Sequence, residues 1–345
     1  MALRWAIVST GMHADSKIAP AMAATPGAEL VAVCSRDRAR AEAFAQKHGA
    51  QAAYDSLAAL LRDARLEAVF VCSPNALHAD HTLQAARAGK HVLTEKPMTT
   101  TLDDAVAMVR GCREVGVKLG VGFHLRHHPV HREACRLIAA GVLGTMALAQ
   151  GQWGFGVRGQ VLPPPRTGLR QWWDDHELMG GASTMMGTGI HVVDLLRFLL
   201  AREVTEVAAI SDGQRQSQPL EQLLAMSLRF HDVIATVCCG RRLPDSRNDF
   251  DIYGSNGRIS GLGTLAEGCQ GALEVVSETE NKRETCTAPL LANYIGELDD
   301  FQRAVAEGRE PAATGLDGLR VVQVTLAMIE SVRTKRTVKI APLTV

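Results

Sequence analysis

An excess of charge of either sign is missing from this chain: 37 lysines and arginines are matched by 37 aspartates and glutamates. No overall field therefore draws it to nucleic acid or to an anionic membrane, and a small molecule is the better-suited partner. Also missing is any apolar stretch long enough to span a bilayer. Residues 1–8 run directly into a strand pattern with no signal-like apolar region, which predicts a soluble, cytoplasmic protein. Among the eight cysteines there is no C-x-x-C and no other regular ligand spacing. Cys34 and Cys72 sit in apolar strand-like runs, so the thiols are expected to be reduced and mostly buried. Internal repeats and low-complexity tracts are absent too.

What the chain does have is length and alternation. At 345 residues it exceeds the usual single compact core, so two domains are expected. Apolar runs at 5–8, 30–34, 68–72, 91–93 and 117–123 alternate with helical patterns at 18–24, 39–48, 79–88 and 102–114. This predicts an α/β fold with a doubly wound parallel sheet over residues 1–122, whose ligands lie at the carboxyl ends of the strands. After Gly122 the texture changes. A helix at 130–140 precedes strand-like runs at 146–153, 204–211, 223–230, 233–239 and 249–253. Residues 123–345 are read as an α+β domain with a large, mainly antiparallel open sheet. Helical patterns at 293–307 and 316–332 close the chain and can pack back on the first domain. The glycine-rich stretch 151–170, with Pro163, Pro164 and Pro165, fits a lid or substrate loop as well as an inert surface loop.

Ser9-Thr10-Gly11-Met12-His13-Ala14 stands in the place of a G-x-G-x-x-G/A fingerprint, with serine for the first glycine. It follows a strand and opens a helix whose free N–H groups can receive a pyrophosphate. The second strand ends at Ser35 and Arg36 without the acid that commonly meets a ribose 2′-hydroxyl. Ser35 and Arg36, helped by Arg38 or Arg40, suit a 2′-phosphate, so NADP is favoured; Asp37, one or two positions late, keeps NAD as the alternative. Ser73, Pro74 and Asn75 follow the third apolar run where a turn borders the pyrophosphate and nicotinamide, and His78 begins the next helix; an ordinary proline turn is the plain alternative.

Glu95-Lys96-Pro97 ends the fourth run. Taken alone it is a solvated charge pair, but its position lets the lysine face a catalytic crevice. Together with Gly180-Gly181 and Gly189-Ile190-His191-Val192-Val193-Asp194, it makes the chain resemble the Gfo/Idh/MocA oxidoreductases nearly end to end. The resemblance implies a Rossmann domain joined to a C-terminal α/β domain, and hydride transfer between NAD or NADP and a polyol or keto-sugar-like substrate. It places Lys96 at the reacting oxygen, His191 as proton donor or acceptor and Asp194 in the same motif, with Glu95 and Pro97 beside the cofactor. It also implies a homodimer or homotetramer paired through the open sheet. An ammonium suits developing oxyanion charge, and an imidazole trades protons near neutrality.

One departure stands out. The family often has aspartate four residues before the histidine, where this chain has Gly187. Either the substrate differs, or Asp174, Asp175 or Glu177 moves in, or activity is altered and His191 is a buried structural histidine. Gly122-Phe123-His124-Leu125-Arg126-His127 is similar to a branch of NADPH-dependent sugar-ketone reductases, which makes His124 and Arg126 substrate contacts. Trp173 falls where that branch has a tryptophan near the cofactor, although Asp174 replaces the arginine that follows it there. His124, His127, His128 and His131 invite a metal, but Pro129 interrupts their helical spacing and nothing nearby completes a shell, so no metal is expected. The architecture also admits a ligand sensor without turnover, and glycoside cleavage through transient NAD-dependent oxidation.

Overall fold

The computed structural model describes residues 2–213 and 220–343. The first sheet is built from β1 (Leu3–Val8), β2 (Ala28–Cys34), β3 (Ala52–Tyr54), β4 (Ala68–Val71), β5 (His91–Thr94) and β6 (Leu119–Val121). Their order is β3-β2-β1-β4-β5-β6, all parallel. Its central strands are buried on both faces, which is why they read as unbroken apolar runs. The crossovers are α1 (Ala19–Ala24), α2 (Arg38–His48), α3 (Leu57–Leu61), α4 (His78–Arg87) and α5 (Leu102–Val115). Their ends follow local chemistry. Asp37 caps α2 and Gly49 closes it at φ 74°, while Thr101 caps α5 and Gly116 closes it at φ 78°.

The second part opens with α6 (Pro129–Ala139), β7 (Met146–Gly154), α7 (His176–Met179) and α8 (Ile190–Leu200). There follow β8 (Glu206–Ser211), β9 (Leu223–Phe230), β10 (Val233–Gly240), β11 (Phe250–Gly254), β12 (Gly257–Leu262), β13 (Ala272–Ser277) and β14 (Asn281–Thr285). Helices α9 (Ala292–Glu307) and α10 (Gly315–Thr334) precede a short β15 (Val338–Lys339). The nine strands run β14-β13-β12-β11-β7-β10-β9-β8-β15, antiparallel except for the β7–β10 pair. In β9 buried and exposed residues alternate, so the sheet has one covered face, where α10 packs on β8 and α8 on β7, and one uncovered face.

The last two helices return to the first sheet. Phe301 of α9 meets the fully buried Trp5 with ring centroids 5.4 Å apart, and the Trp5 indole N–H donates to Gln302 Oε1 at 3.3 Å. Gly120 of β6 has to be glycine, since a Cβ there would come within 2.8 Å of the Phe301 ring. Helix α10 packs on α5 and β6 and is opened by a Thr314–Asp317 capping box. Sequence periodicity passed over β3, α3, α7 and β15, elements too short to show a period, β12 and β13, whose burial does not alternate regularly, the mostly exposed β14, and α8, whose residues are buried all round. No helix among the described residues is long and apolar enough to cross a membrane.

Candidate active site

The turn after β1 forms one wall of a cavity of about 400 Å³. Ser9, Thr10, Gly11, Met12 and His13 line it, with Ser35, Arg36 and Arg40 from the end of β2 and Ser73 and Pro74 from the end of β4. Ser9 takes a positive φ of 98° at the position where the fingerprint has its first glycine, a conformation that costs a serine about 1–3 kcal/mol. Asp37 is committed elsewhere: it accepts from the Arg40 backbone N–H at 3.1 Å as the α2 cap and pairs with the Arg40 guanidinium at 3.2 Å. Arg36 is free of such ties. Neither its guanidinium nor that of Arg170, which reaches the same cavity from the second part of the chain, has a hydrogen-bond or ion-pair partner among the described residues.

A second cavity, of about 370 Å³, holds Glu95, Lys96, His124, Gly187 and His191. His13, Cys72, Ser73, Trp172 and Trp173 line both cavities, so the two share a wall. A dinucleotide laid on the first would direct its reactive end toward the lysine and histidine of the second. The cavity chemistry fits that group: two unpaired guanidiniums for phosphate, helix-opening N–H groups after Gly11, and His191 Nδ1, a buried polar atom without a partner.

Lys96 Nζ donates to the Gly187 carbonyl at 3.3 Å, a contact across 91 residues. Burial pushes the Lys96 ammonium below its usual range, against the pull of Glu95 and Glu267. Burial also holds His191 well below the ordinary imidazole value, reinforced by Lys96, His124 and His13. His124 lies edge-on to His191 at 4.8 Å, stacks on Tyr294 at 4.7 Å, and is pushed by burial down to about 3. Burial alone would raise the Glu95 carboxyl, but His13, 2.9 Å away, together with Lys96 and His124, outweighs it and holds Glu95 at about 2. The site thus sets the ionised Glu95 carboxylate near Lys96, His124 and His191, whose protonated forms burial disfavours.

Several sequence expectations need correction. Arg126 and Asp194 do not line either cavity. They form a buried two-pronged pair, Nε to Oδ2 at 2.8 Å and Nη2 to Oδ1 at 2.6 Å, with Asp317 of α10 3.1 Å from the same guanidinium. The pair ties α8 to the segment after β6 and to α10, and leaves neither group free for substrate. Asn75 and His78 line the second cavity, at the end toward which the dinucleotide's reactive group would be directed, and not the first. The Asn75 amide donates to the Met179 carbonyl at 3.4 Å, and the two His78 ring nitrogens lie 2.7 Å from the Pro97 and Ser73 carbonyls. Glu95 and Lys96 line the same end of the second cavity, whereas Pro97 lines neither.

None of the three acids considered as substitutes at Gly187 reaches the cavity. Asp174 pairs with Arg166, Asp175 caps α7, and Glu177 lies outside. The acids that are present are Glu95 and Glu267, and a Cβ built on Gly187 meets nothing within 4 Å. Trp173 does line both cavities, with the Arg166 guanidinium 5.1 Å above its ring. His128 and His131 turn to backbone carbonyls of Gln270 and Leu125, at 3.1 and 2.8 Å. No group of three or more His, Cys, Asp or Glu among the described residues is placed to hold a metal ion.

Sequence reasoning missed His81, whose ring nitrogen lies 2.9 Å from the Ser73 hydroxyl, and the wall formed by Trp153, Trp172 and Tyr294. The Trp172–Trp173 doublet was the one visible signal. Stretch 151–170 divides: β7 takes it to Gly154, Phe155 lines the second cavity, and Leu169 and Arg170 line the first.

The fold agrees with comparisons to known proteins. The Gfo/Idh/MocA oxidoreductase family's NAD-binding Rossmann-fold domain matches residues 3–123, and its C-terminal alpha/beta domain matches residues 136–340. The chain is 31% identical to 1,5-anhydro-D-fructose reductase of Ensifer adhaerens, over 98% of each protein. It is 29% identical to D-xylose 1-dehydrogenase (NADP(+)) 2 of Haloferax volcanii, over 98% of this chain and 100% of the relative. Aldose-aldose oxidoreductase from Caulobacter crescentus, complexed with glycerol, superposes with a TM-score of 0.87 at 26% identity, covering 98% of this chain and 100% of that one.

Proposed function

Because the chain belongs to the Gfo/Idh/MocA oxidoreductase family, we propose that it is an NADP-preferring enzyme that transfers hydride between nicotinamide and a carbonyl or secondary alcohol of a polyol or keto-sugar-like substrate. The observation that carries this reading is the shared wall of the two cavities, which brings Lys96 and His191 to the end of the dinucleotide trough. When bound, the nicotinamide supplies or accepts the hydride.

The chain's own residues do the rest. Lys96, its stem packed and its Nζ steadied by the Gly187 carbonyl, hydrogen-bonds the reacting oxygen and stabilises the negative charge that develops there. His191 takes the hydroxyl proton in oxidation and returns one in reduction, and its disfavoured protonation makes it a ready donor once charged. Trp172, Trp173 and the loop that carries them act as a lid that excludes water. Turnover is expected as a change in nicotinamide absorbance with members of a polyol and keto-sugar panel. Dinucleotide binding with no absorbance change across that panel would favour the ligand-sensor reading, and product without net absorbance change would favour glycoside cleavage.

The NADP preference rests on Ser35 and the unpaired Arg36, with Asp37 held in the α2 cap. Replacing Arg36 by glutamine is expected to weaken NADP binding roughly 10- to 100-fold, as for a lost charge-assisted bond, and NAD binding less than about threefold. Quenching of Trp172 and Trp173 fluorescence measures both; equal loss for the two dinucleotides would overturn the preference. We also infer a homodimer or homotetramer paired through the uncovered face of the second sheet, where Ile210 is 77% exposed, a state that light scattering reads directly.

A further inference from the structure

Glu221 leads into β9 and is completely buried, yet the reaction as described does not use it. Its carboxylate accepts the backbone N–H groups of Ser183 at 3.0 Å and Met185 at 2.7 Å, and its carbonyl accepts the Thr184 hydroxyl at 3.3 Å. These residues open the helical segment that runs through Gly187 to His191 and into α8. Gly187 N–H in turn donates to the Ser183 carbonyl at 2.8 Å, and the Gly187 carbonyl accepts from Lys96. One continuous set of bonds therefore joins the Glu221 carboxylate to the lysine, with His191 one turn further along.

Glu221 is itself held firmly. A Cβ on Gly213 would stand 2.5 Å from the Glu221 backbone N and Cα, so only glycine permits this approach. The next residue, Gln222, is gripped by Asp212 at 2.8 Å and by the Arg241 backbone N–H at 2.8 Å. The charged groups on the flanking elements are Asp212 at the end of β8, Arg242, which pairs with it at 2.6 Å, and Arg241 after β10. Among the described residues none is ion-paired with Glu221; the carboxylate meets the backbone amides of Ser183 and Met185, at the N-terminal, positive end of the helical segment that leads to His191.

We propose that Glu221 is a positioning residue, which by holding the amides of Ser183 and Met185 sets where the Gly187 carbonyl and His191 stand relative to Lys96. The inference rests on the reading that Lys96 and His191 perform the chemistry. An ionised carboxylate accepts both amides, whereas a protonated one turns a hydrogen toward one of them and loses that bond. Burial pushes this carboxyl up to about 7, against the pull of the amides of Met185 and Ser183. The folded value lies above the unfolded one, so the contribution to stability is complete below the unfolded carboxyl range and is lost as pH rises through about 7. Over the same window the grip on the two amides tightens, so activity and stability should move in opposite directions.

The test compares Glu221→Gln and Glu221→Asp with the native enzyme in kcat, dinucleotide affinity, pH profile and the rate at which Lys96 is labelled by acetic anhydride. For Glu221→Gln, a fall in kcat of about 10- to 100-fold is expected, the scale of a misplacement near 1 Å. Dinucleotide affinity should stay within about twofold by the same reasoning, since only the second cavity is disturbed. The rise of kcat with pH near neutrality should disappear, Lys96 labelling should change severalfold, and Glu221→Asp should recover part of each. If Glu221→Gln does not fold, Glu221→Asp carries the same comparison. A folded variant with native kcat, pH profile and Lys96 labelling, whatever its melting temperature, would reduce Glu221 to a structural cap and overturn the proposal. Native turnover that survives loss of Lys96 would instead remove the reading on which it rests. Labelling reports on Lys96 without turnover, so the two failures remain distinguishable.

Discussion

Replacing Lys96 by methionine is expected to lower kcat by about two to three orders of magnitude while leaving dinucleotide affinity within a few-fold, as for removal of a single donor to a developing oxyanion. Methionine keeps much of the apolar stem, so the packing around β5 should survive. What goes is the ammonium, and with it the bond to the Gly187 carbonyl. Lys96 lines the second cavity alone and not the dinucleotide cavity, which is why binding and turnover should separate. Nicotinamide absorbance measures the first effect and calorimetric titration the second. A fall in kcat of less than about tenfold would return Lys96 to the status of a charge at a strand end. In the oxidation direction the native enzyme should also lose rate as pH falls below the range in which His191 remains uncharged, since the imidazole must then accept the hydroxyl proton; burial and the neighbouring Lys96 keep that range wide by making the protonated form unfavourable.

Asp194→Ala should cost about 3–5 kcal/mol of stability, because it leaves a buried guanidinium without its two-pronged partner. Asp317, 3.1 Å from the same guanidinium, should keep the loss toward the lower end. The folded fraction should retain its substrate KM, since neither Arg126 nor Asp194 touches the cavity. Removing both charges, as Arg126→Met with Asp194→Leu, should restore part of the stability, because hydrophobic replacement of a buried pair avoids the desolvation cost of both ions. Chemical denaturation followed by tryptophan fluorescence provides the measurement. A raised KM at native stability would put Asp194 back among the substrate contacts.

These two residues show where reading the chain works and where it stops. Lys96 is placed by near-neighbour physics: an apolar strand, its carboxyl end and a proline. Asp194 sits three positions from His191 in one motif, which suggested a shared role. On a helix three residues are separated by roughly 4.5 Å of rise and about 60° of rotation. That separation, together with the packing of α8 against the segment after β6, sends His191 into the cavity and Asp194 to Arg126. Nothing within six residues of either one reveals the difference.

By itself the sequence determined the parallel first sheet, the turn at Ser9 to His13, the missing ribose acid after β2 and the position of Lys96, because strand alternation, caps and turns depend on residues close in the chain. It also located the absence at Gly187. Only the tertiary structure decided that the space there stays open, that Glu95 pairs with His13 across 82 residues, and that Trp172 and Trp173 line both cavities. It alone brought Glu221 to the amides that open the His191 helix, and α9 back onto Trp5. The reason is physical: such contacts depend on how helices rotate and sheets face one another once the cores are packed, and a one-dimensional period carries the phase of a single element but not its orientation to the next.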